Sequence, residues 1–435
     1  MNNRNVVLLS VISALAYTGL GYFVVRTNFQ SLLFCFMVLF GGYALLIKHA
    51  PPLKTLVIMA VVFRFVLLLS TPALSDDYFR FVWDGRLLVA GINPYLVLPS
   101  VFVQTLPAQS LHVAELFPQL NSPQYYSVYP PLNQFVFALS ARLSGGSLWA
   151  NIVLIRLILM VVEAACCWAL LKLKFPVHNF LLLYGLNPLV IVELTGNLHF
   201  EGMMVGFLVL AFALLHRQKL GLSAVFMALA VATKLLPLVF IPLVAHQIGW
   251  RKATAYSAIV GGINLALFGL FFDAALVQNI ASSIDLYFQK FEFNASLYYL
   301  VRQIGYWLYG YNTIAKVGVM LSMLAFGGIL FVSFFSKQLS FYQKALFVFA
   351  IYLACATTVH PWYVATLVAV SSLTTFRFPM VWTLLLPLTY AAYATQPYAE
   401  NLWLVAIEYS VVGFVVWKEF SAHSKNKLPS ALSDK

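Results

Sequence analysis

Long apolar runs separated by short polar segments recur from one end of the chain to the other. Many of them approach the ~20 residues that an α-helix needs to cross a bilayer. Backbone polar groups inside lipid must pair within their own segment, which favours helices. The pattern predicts an all-α, polytopic integral membrane protein with about 12–14 transmembrane or half-membrane helices. The predicted membrane segments are 6–25, 31–47, 55–74, 148–171, 180–194, 202–215, 221–247, 253–272, 317–335, 345–358, 364–375, 380–394 and 403–417.

Composition agrees with this class, because 62% of the residues are hydrophobic and 9% are charged, which excludes a soluble fold. We expect one membrane domain, residues 1–420, followed by a polar, disordered cytoplasmic tail, residues 421–435. The net charge of +12 does not indicate nucleic-acid binding, since Lys and Arg are spread over short loops. The four cysteines lie within apolar runs and lack metal-ligand spacing.

The basic residues predict how the helices are oriented, because cytoplasmic loops carry an excess of Lys and Arg. Arg4 precedes the first run, and Lys48 and Lys54 separate the second run from the third. These positions place the N-terminus in the cytoplasm. Arg26, between the first two runs, is an exception to the rule. Following the positions of the basic residues in the loops from Lys172 onward places the C-terminus in the cytoplasm as well.

The parity of the crossings implies that the apolar segment 129–143 does not cross the membrane. It opens with Tyr129-Pro130-Pro131, contains Arg142 and is short for a span. We expect an interfacial or re-entrant helix within one long outer loop, residues 74–147.

The segment 221–247 has basic residues at both ends, so it must enter the membrane and return. At under ~30 residues it can form only two short helices. We expect the break around Lys234 and Pro237. By contrast, the segment 180–194 is predicted as one outward span.

The highest density of charge follows the third run, between Ser75 and Arg86. The whole chain has 14 acidic residues, and this segment holds Asp76, Asp77 and Asp84 beside Arg80 and Arg86. Adjacent aspartates where a membrane helix meets water can act as a general base or can organise a metal ion and a phosphate. The segment therefore predicts the catalytic edge of a membrane-embedded transferase.

Other polar residues are predicted at the outer ends of different spans and so converge with the aspartates. They are Tyr129, Asn197, His199, Glu201, Asn294 and His360. Lys234, at the apex of the broken pair, points the same way and needs an anionic partner, for which a lipid phosphate would serve.

Structural roles are the alternatives for several of these residues. His199 and Glu201 also fit solvated loop positions, and His360 also fits the start of an interfacial helix. Asn294 fits a glycosylation sequon or a helix cap. Arg156 and Glu163 lie two turns apart on one helix face, which predicts a structural pair.

Several short motifs occur in a recognisable order. They are Ser75-Asp76-Asp77-Tyr78 with Trp83-Asp84-Gly85-Arg86 and Gly91-Ile92-Asn93-Pro94-Tyr95, then Tyr129-Pro130-Pro131, Asn187-Pro188-Leu189 with Asn197-Leu198-His199-Phe200-Glu201, Thr233-Lys234-Leu235-Leu236-Pro237, and His360-Pro361-Trp362-Tyr363. On these motifs the chain resembles bacterial GT-C glycosyltransferases of the polyprenyl-phosphate-sugar-dependent, mannosyltransferase-like group.

The resemblance implies inverting transfer of a hexose, with mannose favoured, from a polyprenyl-phosphate donor to a glycan or glycolipid acceptor. The reaction would take place on the outer face of the bacterial inner membrane, with Asp77 or Asp76 as general base. Donor and phosphate binding would fall to Lys234, Arg80, Arg86, His360 and Tyr363. The acceptor and second-loop residues would be His199, Glu201, Asn197, Tyr129, Asp84 and Asn93. Glu201 departs from the family pattern, which has an aspartate in this motif.

The main competing class is a non-enzymatic flippase or exporter of lipid-linked glycans, which would carry charge along a central cavity. A cluster of acidic residues at outer helix ends favours chemistry instead. A ligase would share the donor chemistry and differ in its acceptor. No cofactor is predicted, and no complete ligand set indicates a divalent metal, whose participation stays open.

Overall fold

The computed structural model describes residues 3–289 and 291–425. In this part of the chain the backbone forms helices and loops, with an isolated β-bridge between Phe293 and Thr358. The all-α prediction is confirmed. The α-helices are α1 (Asn3–Tyr22), α2 (Phe29–His49), α3 (Leu53–Val66), α4 (Asp77–Val89), α5 (Pro99–Phe102), α6 (Leu106–Ser110), α7 (Pro131–Leu143), α8 (Leu148–Lys172), α9 (Val177–Phe180), α10 (Pro188–Val190), α11 (Glu201–His216), α12 (Leu220–Thr233), α13 (Ile241–Ile248), α14 (Trp250–Gly269), α15 (Leu276–Gln289), α16 (Leu297–Tyr309), α17 (Ile314–Phe335), α18 (Phe341–Cys355), α19 (Ala365–Ser371), α20 (Phe378–Leu385) and α21 (Leu402–Lys425). Segments of 3-10 helix are Pro94–Leu96, Phe117–Gln119, Leu236–Phe240, Pro361–Val364 and Leu386–Ala394, and segments of π-helix are Leu181–Gly185 and Ile191–Gly196.

Helices of membrane length occur along the whole described chain. Among the described residues, α1, α2, α8 and α17 are long and apolar enough to cross a bilayer. Shorter apolar helices are Glu201–His216, Leu220–Thr233, Leu236–Ile248, Phe341–Cys355, Pro361–Ser371 and Phe378–Ala394. Full-length and half-length apolar helices together confirm the polytopic class.

The predicted span 180–194 is wrong as a single helix. The structure has two pieces, Val177–Gly185 and Pro188–Gly196, that meet at an angle of 70°. The bend lies at Asn187, whose side chain accepts hydrogen bonds from the backbone N–H groups of Leu189 and Val190. Pro188 has no N–H and disfavours helical backbone in the residue before it, so the first piece ends there.

The predicted long loop, residues 74–147, contains helices that pack on one another. The helix α7 has 13 residues and is about 20 Å long, against the ~30 Å of a hydrocarbon core. It lies against α4 in close contact, because a Cβ added at Gly85 would come within 2.3 Å of the Phe137 carbonyl oxygen. Glycine therefore permits the backbone approach that fixes the position of α4 and of the aspartates at its start.

The core of the protein lies around α11, which is buried along nearly its whole length. This helix is apolar on all sides, as expected of a helix surrounded by others, and it packs against α8, α12 and α19. Its first residue, Glu201, has 2% of its surface exposed. The segment that carries Asn197 and His199 therefore ends at a residue buried in the core.

The predicted pairing of Arg156 with Glu163 is wrong. Glu163 accepts from Arg64 Nε at 2.9 Å, while Arg156 donates to backbone carbonyls. Its acceptors are the carbonyl oxygens of Leu68, Ser70, Thr195 and Gly196, at 2.7–2.9 Å. Helix ends leave carbonyl groups without partners, and the Arg156 guanidinium satisfies those of two chain segments at once. This side chain thereby joins the segment before Asp76 to the segment before His199.

The predicted break at Lys234 is observed. The helix α12 ends at Thr233, and Lys234 has extended backbone angles (φ −157°, ψ 139°) before the chain resumes as a 3-10 helix and α13. At the other end of the chain, α21 continues to Lys425, so the first residues of the predicted tail, 421–435, are helical. The rest of the predicted tail lies outside the described residues.

Candidate functional site

A cavity of about 750 Å³ lies where several loops and helix ends meet. Its wall combines the start of α4, the start of α11, the break after α12 and the 3-10 helix Pro361–Val364. Many of the residues singled out from the sequence line it: Asp76, Asp77, Tyr129, His199, Glu201, Lys234, His360 and Tyr363. Motifs far apart in the chain thus share one cavity.

The two adjacent aspartates have different partners. Asp76 Oδ2 forms an ion pair with Arg26 Nη2 at 2.6 Å. Asp77 Oδ1 accepts a hydrogen bond from Asn121 Nδ2 at 2.7 Å. The Arg26 guanidinium also lies over the Tyr393 ring, with Cζ 5.0 Å from the ring centroid. The pair therefore presents one carboxylate neutralised by a cation and one bound by a neutral amide.

Asp77 lies at the start of α4, outside the predicted membrane spans, and its pKa is raised above the usual value. Burial is the main cause, and the neighbouring carboxylates Glu201 and Asp76 add to it. The Asn121 hydrogen bond and the Lys234 charge oppose the rise. A carboxylate with a raised pKa is a better proton acceptor, which suits a general base.

Lys234 and Glu201 form an ion pair inside the cavity. The Lys234 side chain is 29% exposed, whereas that of Glu201 is 2% exposed. Lys234 Nζ also lies 4.3 Å from the centroid of the Tyr363 ring. The anionic partner that the sequence requires for Lys234 is therefore supplied by the protein in this state, while the ammonium remains open to the cavity.

Two imidazoles stack on Trp362 beside this ion pair. The ring centroids of His199 and Trp362 are 3.6 Å apart, and those of His360 and Trp362 are 4.4 Å apart. Burial followed by the charge of Lys234 lowers the pKa of His199 well below its usual value and that of His360 to about 3. Both rings are therefore neutral near pH 7 and add no positive charge to the cavity.

One wall of the cavity is largely apolar. Gly318, Ser322, Ala325 and Ile329 follow one face of α17, and Cys355 adds to the wall from α18. The Ser322 hydroxyl donates to the Gly318 carbonyl at 2.8 Å, so its polarity is satisfied within the helix. Small side chains on a membrane-length helix leave an apolar recess next to the charged end.

Some residues assigned to the site from the sequence do not line the cavity. Arg80 pairs with Asp84 at 2.8 Å, and the buried Asp84 also accepts from Ser127 and Gln134. Arg86 donates to the Gly146 carbonyl at 2.8 Å. These contacts hold the segment 74–147 together.

Asn93 and Asn197 also do not line the cavity, and the side chains of both bind backbone groups. Asn93 Nδ2 donates to the Phe271 carbonyl at 2.9 Å. Asn197 Oδ1 accepts from the Leu74 N–H at 3.1 Å, directly before the aspartate segment. Asn197 therefore positions the loop that carries Asp76 and Asp77.

Asn294 is fully buried, which excludes it as an accessible glycosylation site. Its Nδ2 donates to Glu408 at 2.9 Å, and its backbone N–H donates to Glu400 at 2.7 Å. Its side chain caps no helix. It contributes to packing between α16 and α21.

Sequence reasoning missed Arg26, Asn121 and Glu193 as neighbours of the site. Arg26 did leave a signal, because it breaks the positive-inside pattern. Asn121 lies in a polar loop with no distinguishing pattern. Glu193 is a fully buried carboxyl group that binds Tyr390 and lies 3.5 Å from His199 Nε2. Among the described residues, no three His, Cys, Asp or Glu side chains converge as a metal site.

Comparison with known proteins gives a family match in the N-terminal part of the chain and similarity to curated proteins. The family described as alpha-(1->6)-mannopyranosyltransferase, N-terminal domain, matches residues 3–249. Alpha-(1->6)-mannopyranosyltransferase A of Mycobacterium tuberculosis is 27% identical over 214 residues, which are 46% of this chain and 40% of that protein. The protein of the same name from Corynebacterium glutamicum is 22% identical over 182 residues, which are 41% of this chain and 36% of that protein.

The matched region includes the aspartate segment, Tyr129, the second loop with His199 and Glu201, and Lys234. The alignments span about 40% of the length of the curated relatives. The resemblance to mannosyltransferases that the motifs indicated is confirmed. Because the family match covers more than half of its residues, this chain belongs to the alpha-(1->6)-mannopyranosyltransferase N-terminal domain family.

Proposed function

We propose that the protein is a membrane mannosyltransferase that takes a mannosyl group from a polyprenyl-phosphate donor. The acceptor is a hydroxyl group of a glycan or glycolipid, and the reaction inverts the anomeric configuration. The observation that supports this most directly is one cavity lined by Asp77, by Lys234 and by the apolar face of α17. A donor with a charged phosphate and an apolar tail matches these three elements.

Asp77 is the proposed base. As the acceptor oxygen attacks the anomeric carbon, Asp77 takes the hydroxyl proton, and the bond between that carbon and the phosphate oxygen breaks. The phosphate leaves with an additional negative charge and needs no general acid. Asp76 is less suited to the role because its carboxylate is engaged by Arg26 at 2.6 Å.

Lys234 is the proposed phosphate ligand. Its ammonium is near Asp77 and 29% exposed to the cavity. A fixed cation stabilises the leaving phosphate more as its charge grows, which lowers the barrier. Donor binding would give Lys234 a second anionic partner beside Glu201. His199 and His360 are neutral and therefore add no positive charge beside that phosphate.

The relatives' name indicates the first substrates to test, a mannosyl donor and an acceptor with a free 6-hydroxyl. An alpha product formed with inversion requires a beta-linked donor. The purified full chain is incubated with a panel of polyprenyl-phosphate sugars, and the products are read by mass spectrometry. We expect turnover with the mannosyl donor. Turnover with a nucleotide sugar and none with any lipid-linked sugar would overturn the proposed donor class.

We also propose that the cavity faces the outside of the bacterial plasma membrane and that both chain termini are cytoplasmic. Single cysteines at 122, 147 and 174 are introduced after the native cysteines are replaced. An impermeant thiol reagent applied to intact cells is expected to label Ser122→Cys and Ser147→Cys, but Lys174→Cys only after lysis. Labelling of the first two positions from opposite sides contradicts this topology, because it would require 129–143 to cross.

A further inference from the structure

Two residues from distant loops bind the adjacent aspartates separately. Arg26 lies in the loop between α1 and α2, and Asn121 lies in the outer loop that precedes α7. Both line the cavity with Asp76 and Asp77. Neither residue belongs to a motif by which the sequence predicted the site.

We propose that Arg26 and Asn121 are positioning residues that make Asp77, and not Asp76, the base of the transfer reaction. Arg26 holds Asp76 in an ion pair, and Asn121 orients Asp77 without neutralising it. This inference rests on the proposed function.

Arg26 fixes Asp76 by two contacts. Its Nη2 atom is 2.6 Å from Asp76 Oδ2, and its guanidinium lies over the Tyr393 ring. Both charged side chains are about one-third exposed, at 31% and 36%, so water weakens the Coulomb attraction between them. The contribution of Arg26 is therefore mainly geometric, since stacking on a ring restricts the guanidinium plane and with it the carboxylate.

Asn121 fixes Asp77 through a hydrogen bond from its side-chain amide. The Ser122 hydroxyl donates to Asn121 Oδ1 at 3.0 Å. An ionised carboxylate only accepts hydrogen bonds, so the amide nitrogen faces Asp77 and donates to its Oδ1 at 2.7 Å. Asp77 Oδ2 accepts no hydrogen bond from the described residues, so this oxygen remains available for the acceptor proton.

The charged groups around Asp77 determine the direction of a pH effect. Glu201 and Asp76 raise the pKa of Asp77, while the Lys234 charge and the Asn121 hydrogen bond lower it. Loss of the Asn121 hydrogen bond therefore raises this pKa further. Because a base works only when deprotonated, the acidic limb of the rate profile moves to higher pH in Asn121→Ala.

The kinetic experiment measures kcat and KM against pH for Asn121→Ala and for Gln124→Ala, an exposed amide of the same loop that does not line the cavity. We expect Asn121→Ala to move the acidic limb upward by about half to one pH unit and to lower kcat by roughly 10-fold or more. Gln124→Ala should match the wild type. An unchanged pH profile in Asn121→Ala overturns the role of Asn121.

Arg26 is tested by a double-mutant cycle with Asp76. Arg26→Gln is expected to lower kcat by about 10- to 100-fold with the donor KM nearly unchanged, and Arg26→Lys should recover part of that loss. In an Asp76→Asn background the same Arg26→Gln change should cost much less, because the ion pair is already absent. An equal loss in both backgrounds shows that Arg26 does not act through Asp76 and overturns its role.

A readout independent of transfer separates this inference from the proposed function. Carbodiimides react with protonated carboxyl groups, so the pH midpoint of Asp77 modification, read by peptide mass spectrometry, reports its protonation. Asn121→Ala should raise this midpoint and Gln124→Ala should not. If the wild type transfers no sugar but Asn121→Ala still raises the midpoint, only the proposed reaction is refuted. An unchanged midpoint in Asn121→Ala refutes the role of Asn121 whether or not transfer occurs.

Discussion

Replacing Asp77 with asparagine is expected to abolish mannosyl transfer, with a loss of about 10²- to 10⁴-fold in kcat. A carboxamide keeps the size of the side chain, and its oxygen can still accept the Asn121 hydrogen bond, so local structure should survive. It cannot take a proton at neutral pH. Expression and binding of the polyprenyl-phosphate donor should remain close to wild type, which separates loss of chemistry from loss of folding.

Asp76→Asn is the matched control, because the two residues are adjacent in sequence. We expect a severe but smaller loss, caused by release of Arg26 and misorientation of the aspartate segment. The measurement is single-turnover transfer with both variants in the same detergent or nanodisc. Near-normal turnover in both variants rules out an aspartate base, and a larger loss in Asp76→Asn assigns that role to Asp76.

Lys234→Met is expected to raise the donor KM and lower kcat together. The variant removes a cation that binds the donor phosphate, and that phosphate gains negative charge in the transition state. This variant also leaves Glu201, 2% exposed, without its ion-pair partner. Breaking a buried pair costs about 3–5 kcal/mol, and less where one partner is as exposed as Lys234. We therefore also expect Lys234→Met to lose thermal stability.

The double variant Lys234→Met with Glu201→Gln separates the two effects. It removes the unpaired carboxylate, so thermal stability should return towards wild type, while the donor defect should persist. Thermal unfolding and donor titrations are measured on the same preparations. If the double variant recovers donor kinetics as well as stability, Lys234 is a structural partner of Glu201. The phosphate would then be bound by Arg26, the other Lys or Arg among the described residues that line the cavity.

Local sequence was enough for much of the architecture. The break at Lys234 was predictable because charges at both ends of a short apolar segment require a return, and Pro237 disfavours a continuous helix. The bend at Asn187 was missed, because hydropathy averaged over the largely apolar run around it does not register an interruption. The Asn187-Pro188 pair itself carried the signal, since the asparagine caps the helix that the proline starts.

The sequence by itself determined the membrane class and the convergence of aspartate, histidine and lysine motifs, because these depend on hydropathy and charge along the chain. Only the tertiary structure decided the partners. Arg156 binds carbonyl groups and not Glu163, Lys234 meets Glu201, and Arg26 meets Asp76. These contacts join residues at least 33 positions apart, so they depend on how helices pack and on where each loop crosses its neighbour. Hydropathy and spacing carry no information about such distances, which is why the different partners of the two adjacent aspartates became visible only in the folded chain.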